Sequence, residues 1–239
     1  MRKQIPNILT LLNLFSGCIA ITMAFQGNFT AVAIWVAVAA LFDFLDGMAA
    51  RILKAYSAIG KELDSLADVV SFGVAPASAV FILLRDHSLF PGYLDTGSLF
   101  IPYLAFLIPV FSALRLARFN IDDRETTTFM GLPTPANGLF WVSYCCGLHV
   151  LTSEKEYLFY ITAGAIFLMS LLMVSGIPMF SLKIKQIRLK GNERQLLLIL
   201  LMIAFIAIWG IIGVAFGIVS YIVLSIVLSS KFFASESEE

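Results

Sequence analysis

The chain has 239 residues, of which 59% are hydrophobic and 13% charged, and its mean hydropathy is +0.91. That charged share is about half that of an ordinary soluble domain, and a soluble fold of this length has no interior large enough for so much apolar surface, so a soluble globular protein is excluded. Sixteen Lys and Arg balance 16 Asp and Glu, which gives no electrostatic case for a nucleic-acid partner, and 21 Phe exclude a disordered chain.

A membrane-crossing helix needs about 20 mostly apolar residues. Apolar runs of that kind fall at 5–25, 29–52, 61–84, 98–118, 134–152, 157–177, 195–212 and 214–231. The sequence therefore predicts an all-α integral membrane protein with about eight transmembrane helices in a single domain over 1–239. Gly210, Gly213 and Gly217 stand where the last two runs have to turn as a hairpin, and without that turn they merge into one span. Arg2 and Lys3 precede the first run as they would in a signal peptide, but Asn7 and Asn13 interrupt it and no A-x-A site follows, so the run is expected to remain. Cys18, Cys145 and Cys146 fit neither a disulfide framework nor a zinc pattern, and buried free thiols are expected.

Basic residues set the expected orientation. With the N-terminus in the cytoplasm, eight spans leave only Arg85 and Lys155 outside; the other Lys and Arg, including the five between 183 and 194, all face the cytoplasm. Both termini are then cytoplasmic, in a multi-pass protein of the cell (inner) membrane, with a short polar tail at 233–239. His87 and His149 lie toward the outer side and are given no role.

Four acidic residues sit where lipid disfavours them. Asp43 and Asp46 lie inside the second run, Asp64 and Asp68 inside the third. A charge at a span centre costs roughly 2.5–3.5 kcal/mol on the insertion scale, less near the ends. Asp43, Asp46 and Ala50 follow at i, i+3, i+7, and Gly60, Asp64 and Asp68 at i, i+4, i+8, so each set forms one helical stripe. A short connection makes the two helices antiparallel neighbours with the stripes facing each other. Arg51 alone cannot neutralise four carboxylates. Two hard divalent cations, Mg²⁺ or Mn²⁺, can do so through oxygen ligands. Spacing also allows a proton or sodium pathway, or pairing with Lys and Arg from loops. Gly47 and Gly60 beside the stripes leave space for a ligand to reach the backbone.

The residues Asp43-x₂-Asp46-Gly47-x₂-Ala50-Arg51-x₈-Gly60-x₃-Asp64-x₃-Asp68 resemble, at all eight defined positions, the signature of the CDP-alcohol phosphatidyltransferases. The opening Pro6-Asn7-Ile8-Leu9-Thr10 is similar to the P-N-x-x-T start of these enzymes. Arg115-Leu116-Ala117-Arg118-Phe119-Asn120 and Gly131-Leu132-Pro133-Thr134-Pro135-Ala136-Asn137 resemble the A-R-F-N and G-L-P-x-P-x-N segments of the integral-membrane phosphatidylserine synthases within that family. The resemblance covers 5–140 well; beyond it, only the apolar character matches.

The resemblance implies transfer of a phosphatidyl group from CDP-diacylglycerol to L-serine with release of CMP. It implies Asp43, Asp46 and Asp64 as metal ligands, with Asp68 as general base and further ligand. Asn7, Thr10, Asp46, Gly47, Ala50, Arg51 and Gly60 would meet the CDP-lipid, Arg51 through the bidentate phosphate geometry of its guanidinium. Arg115, Arg118 and Asn120 are candidates to hold the carboxylate of serine, with Arg118 and Asn120 preferred. Relatives of this kind form homodimers, and the substrate enters from membrane lipid. Two other functions stand beside this one: the same chemistry on glycerol 3-phosphate or an inositol phosphate, and an ion carrier built on the acidic cluster.

Overall fold

The protein is described by a computed structural model over residues 4–86, 96–121, 129–150, 156–179 and 193–236. Arg2, Lys3, His87, Arg124, Lys155, the basic residues of 183–190 and the tail at 237–239 lie outside the described residues.

The first helix, α1 (Gln4–Phe25), carries Pro6 in its opening turn, where proline costs no helical hydrogen bond. Its buried face reads Pro6, Thr10, Asn13, Ser16, Gly17, Ala20 and Ala24. These residues are small or polar, which in a membrane protein lets helices approach closely and exchange hydrogen bonds. Cys18 points the other way and is exposed, against the expectation of three buried thiols; Cys145 and Cys146 are buried. The reason is register, because Ser16, Gly17 and Ala20 take the inward positions around it.

Asn28 caps α2 (Phe29–Leu53), its side chain accepting from the Ala31 N–H at 3.0 Å. The helix stops at Lys54, whose φ of 49° is the left-handed C-cap conformation. Three residues later Ser57 caps α3 (Ala58–Asp68) by accepting from the Gly60 N–H at 3.0 Å. The connection is short, as expected, and the second and third apolar runs are neighbours, α2 packing against the later part of the third run at 69–86 while α1 packs against both α2 and α3.

The third rod does not stay α-helical. After Asp68 the chain widens into a π-helical stretch, Val69–Val74, before continuing as α4 (Ala75–Asp86). Such insertions concentrate at functional sites. Here the stretch touches three partners: Ser71 Oγ donates to the Asn13 carbonyl at 3.0 Å, Gly73 sits against Pro109, and Phe72 sits against Gly138.

A 3₁₀ segment, Thr96–Phe106, includes Pro102 and leads into α5 (Leu107–Ile121). Next come β1 (Phe129–Met130), α6 (Thr134–Val150), α7 (Glu156–Val174) and β2 (Pro178–Met179); Phe129 pairs with Met179 and Met130 with Pro178, antiparallel. Gly131 has φ of +71° and lies against the Met173 carbonyl, so both space and conformation require glycine there.

The last apolar stretch folds back on itself. The helices α8 (Glu193–Trp209) and α9 (Gly213–Glu236) are joined by a turn in which Gly210 has φ of +65°. Gly217 lies against Met202, and the rings of Trp209 and Phe216 are 5.4 Å apart. On a straight helix Met202 and Gly217 would stand about 22 Å apart. The two helices are therefore antiparallel. The expected tail at 233–239 overlaps the end of α9.

Six stretches are long and apolar enough to cross a membrane: Gln4–Phe25, Phe29–Leu53, Ala58–Arg85, Phe100–Ile121, Tyr157–Val174 and Gln195–Val227, the last being the hairpin. The outward faces carry large apolar side chains such as Phe15, Phe44, Phe167 and Leu200, as a lipid-facing surface requires. The centre is closed by Phe29, Phe72, Leu83, Trp141 and Phe159. The chain is an all-α membrane protein.

The contact of Gly138 with the Phe72 backbone predicts a sharp packing limit. A Cβ at 138 would lie 2.9 Å from Phe72 Cα and O. Gly138→Ala is expected to lower stability in detergent micelles by about 1–3 kcal/mol. Gly164→Ala, where nothing lies within 4 Å, is the control and should be neutral or slightly stabilising. Denaturant midpoints of the two variants check this.

Candidate active site

Between α2 and the C-terminal half of α3, three carboxylates converge. One oxygen from each of Asp43, Asp64 and Asp68 lies within 4.8 Å of the other two. Asp68 is 6% exposed, and Asp64 Oδ1 is buried without a hydrogen-bond partner among the described residues. At an effective dielectric of about 20, unit charges this close repel by about 3.5 kcal/mol per pair. The donor set is all oxygen and anionic, and one oxygen is left unsatisfied; that suits a hard divalent cation of the Mg²⁺ or Mn²⁺ kind.

Asp46 stands one turn along α2 and is held separately. Thr10 Oγ1 donates to Asp46 Oδ2 at 2.6 Å, a short bond of the charge-assisted type. Asn13, one turn further on α1, donates from Nδ2 to Asp68 Oδ1 at 3.4 Å. The polar face of α1 thus grips one acidic residue from each of the facing helices, which is why α1 packs against both. From sequence, Asn13 stands only as a break in the first apolar run, not as a site residue. The signal was present: Asn7, Thr10 and Asn13 repeat at i, i+3, i+6 and form one polar stripe in an apolar run.

The remaining signature residues line the same end. A Cβ at Gly47 would meet nothing within 4 Å, so space is open beside Asp46. At Gly60 a Cβ would lie 3.0 Å from Asn7 Oδ1, so this glycine admits the Asn7 side chain. Ala50 is half-buried on the Asp43–Asp46 stripe. Arg51 Nε donates to the Gly47 carbonyl at 2.9 Å on its own helix.

The three acceptor candidates part company. Arg115 interacts electrostatically with Asp68 and Tyr221, and its Nη1 donates to Thr134 Oγ1 at 3.2 Å. Arg118 is exposed and donates to the Val174 carbonyl at 3.3 Å, at the end of α7. Asn120 Nδ2 donates to Ser65 Oγ at 2.9 Å, and its carbonyl accepts from Lys61 Nζ at 2.7 Å, which ties α5 to α3. Of the three, Arg115 is the one that interacts electrostatically with a carboxylate of the cluster, Asp68, whereas the sequence favours Arg118 and Asn120. Motif membership gives no helix face; the neighbours of α5 decide it, α6 offering Thr134 to Arg115 and α7 the Val174 carbonyl to Arg118.

A family model described as CDP-alcohol phosphatidyltransferase matches residues 3–228. Among similar proteins, the CDP-diacylglycerol–serine O-phosphatidyltransferase of Helicobacter pylori (strain J99) is 35% identical over 208 residues, 84% of this chain and 80% of the relative. The enzyme of that name from Bacillus subtilis (strain 168) is 35% identical over 137 residues, 57% of this chain and 72% of the relative. The archaetidylserine synthase of Methanothermobacter thermautotrophicus is 34% identical over 180 residues, 72% of this chain and 68% of the relative. The chain belongs to the CDP-alcohol phosphatidyltransferase family and is an enzyme of that type. Membership sets aside the ion-carrier alternative for the acidic cluster.

The bond from Thr10 to Asp46 makes a local prediction. Thr10→Val keeps the volume and removes the donor, leaving Asp46 Oδ2 unpaired where Asp46 is 6% exposed. Stability in micelles should fall by about 1–3 kcal/mol, and Thr10→Ser should recover most of it. Thermal or denaturant midpoints measured in EDTA read this apart from any metal.

Proposed function

We propose that this enzyme transfers the phosphatidyl group of CDP-diacylglycerol to the hydroxyl of L-serine, yielding phosphatidylserine and CMP, with a divalent metal required. The observation that carries it is the convergence of Asp43, Asp64 and Asp68 within 4.8 Å, from a complete family signature, in a chain similar to enzymes named for serine as acceptor.

Asp43, Asp46, Asp64 and Asp68 would hold Mg²⁺ or Mn²⁺, two ions for four carboxylates, although Asp46 stands outside the tight trio. Bound there, the metal supplies Lewis-acid stabilisation of the charge that builds on the diphosphate as CMP departs. The chain's own residues do the rest. Thr10 fixes the Asp46 carboxylate, and Asn13 fixes that of Asp68. Asn7, Gly47, Ala50, Arg51 and Gly60 bind the CDP part, with the open space at Gly47 available to the nucleotide and Arg51 turning from its own helix to a phosphate. Asp68 takes the serine hydroxyl proton as the oxygen attacks the β-phosphorus. A positioned carboxylate base contributes about 10²–10⁴-fold. Arg115 holds the acceptor's carboxylate beside Asp68, with Arg118 and Asn120 at the rim of the same helix.

In this reading the eight helical rods each cross the membrane. An even number returns both termini to one side, and the distribution of Lys and Arg makes that side the cytoplasm. The active site then opens to the cytoplasm at the inner membrane, and CDP-diacylglycerol reaches it sideways from lipid. The enzyme works as a homodimer.

The test uses purified protein in micelles with CDP-diacylglycerol, Mn²⁺ or EDTA, and labelled L-serine, glycerol 3-phosphate or inositol phosphate. Lipid labelling from serine with stoichiometric CMP release, lost in EDTA, is expected. Asp68→Asn should cut turnover by roughly 10²-fold or more. Transfer to a phosphorylated alcohol but not to serine would replace the acceptor, and full turnover in EDTA would remove the metal.

A further inference from the structure

One set of buried polar atoms is not used by this chemistry. Asn137 on α6 is 0% exposed, and neither its Oδ1 nor its Nδ2 has a hydrogen-bond partner among the described residues. A side-chain amide brings two N–H donors and an acceptor oxygen, and native proteins rarely leave such groups unmatched. Arg115 Nε, on the facing helix α5, is likewise buried and unpartnered. Two orphaned groups of complementary hydrogen-bonding character in one region point to a polar ligand.

The backbone explains how they meet. Gly131 holds the entry to α6 against the end of α7, and the Leu132 N–H donates to the Leu172 carbonyl at 3.0 Å. The Asn137 N–H then closes the first turn of α6 on the Pro133 carbonyl at 3.0 Å. Thr134, Asn137 and Trp141 follow at i, i+3, i+7 and form one stripe, each 0% exposed. Thr134 Oγ1 accepts from Arg115 at 3.2 Å, and Arg115 interacts electrostatically with Asp68. Asn137 therefore lies one turn beyond Thr134, whose hydroxyl holds the Arg115 guanidinium within the electrostatic reach of Asp68.

We propose that Arg115, Thr134 and Asn137 form the subsite that holds the charged head of the acceptor, with Asn137 reading its ammonium group; this rests on the transferase reading of the site above. The chemistry selects an α-amino carboxylate. One guanidinium matches one carboxylate. The amide oxygen of Asn137 accepts from an ammonium, while its NH₂ shares the carboxylate with Arg115 Nε. A phosphorylated alcohol would bring a dianion to a single cation and leave the amide oxygen facing negative charge. The hydroxyl of a bound amino acid would then point back to Asp68.

The experiment compares three acceptors at saturating CDP-diacylglycerol and Mn²⁺: L-serine, 3-hydroxypropionate, which lacks the ammonium, and L-serine methyl ester, which lacks the carboxylate. The ratio of kcat/KM between two acceptors in one preparation is independent of the folded fraction. The wild type should prefer serine over 3-hydroxypropionate by roughly 10²-fold or more, because a site built to bond a group rejects the analogue without it. Asn137→Leu should shrink that preference at least tenfold, and Asn137→Ser should do the same if the leucine perturbs packing. Arg115→Gln should instead shrink the preference for serine over its methyl ester. An unchanged ratio in both Asn137 variants, or an equal loss with every acceptor, would overturn the subsite and assign Asn137 to the framework. A wild type that labels lipid only from a phosphorylated alcohol would sink the serine reading first, and is told apart because it appears without any variant.

Discussion

Carboxylates within 4.8 Å of one another at the end of an apolar bundle repel strongly, and the protein has to hold them there. Lipid offers no solvation, and Arg115 is a single positive charge set against Asp68. Much of the surrounding structure follows from that constraint. Lys54 and Ser57 end one acidic helix and start the next within a few residues. On α1, a face of small and polar residues lies against both and supplies a donor to Asp46 and a donor to Asp68. The π-helical stretch after Asp68 places Ser71 on the α1 backbone and Phe72 on Gly138, anchoring the rod at the turn that carries the last carboxylate.

Hard divalent ions turn that repulsion into affinity, because the same oxygens that repel each other become ligands. On the proposed reading, Asp64 Oδ1, which has no partner among the described residues, then has a reason to be buried. The site divides by helix. On the proposed reading, α1, α2 and the start of α3 handle nucleotide and metal, and α5 and α6 handle the acceptor. Asp68 stands at the boundary, bonded to α1 through Asn13 and coupled electrostatically to α5 through Arg115. That is the position a group must occupy if it takes a proton from one substrate while the other is held by metal.

The convergence of Asp43 with Asp64 and Asp68 was legible in sequence because helical spacing puts Asp43 and Asp46 on one stripe and Asp64 and Asp68 on another; that Asp46 stands apart from the other three was not. The turn at Gly210 was legible only as one of two readings, because three glycines interrupt an apolar stretch that could also run on as a single span. What could not be read depends on three-dimensional register. The insertion of α1 beside α2 and α3 follows from a stripe of small residues whose partners are distant in sequence. The π-helical stretch has no composition cue, since Val69–Val74 reads as ordinary apolar helix. The divergence of Arg115 from Arg118, three residues apart, follows from which neighbours pack on α5: Thr134 of α6 takes one guanidinium and the Val174 carbonyl of α7 the other. Asn137 lay inside a recognised segment, yet only its burial without partners among the described residues points to the role proposed for it.

The central claim is that the trio of carboxylates is a cation site, and thermal unfolding in micelles with Mn²⁺ or with EDTA tests it without any substrate. A ligand that binds only the folded state stabilises it by about 2.7 kcal/mol at a hundred times its Kd. Mn²⁺ should raise the unfolding midpoint of the wild type by several degrees, and Asp64→Asn should lose that rise while still unfolding cooperatively. A wild type whose midpoint is the same in Mn²⁺ and EDTA, or an Asp64→Asn variant that keeps the full rise, would contradict it.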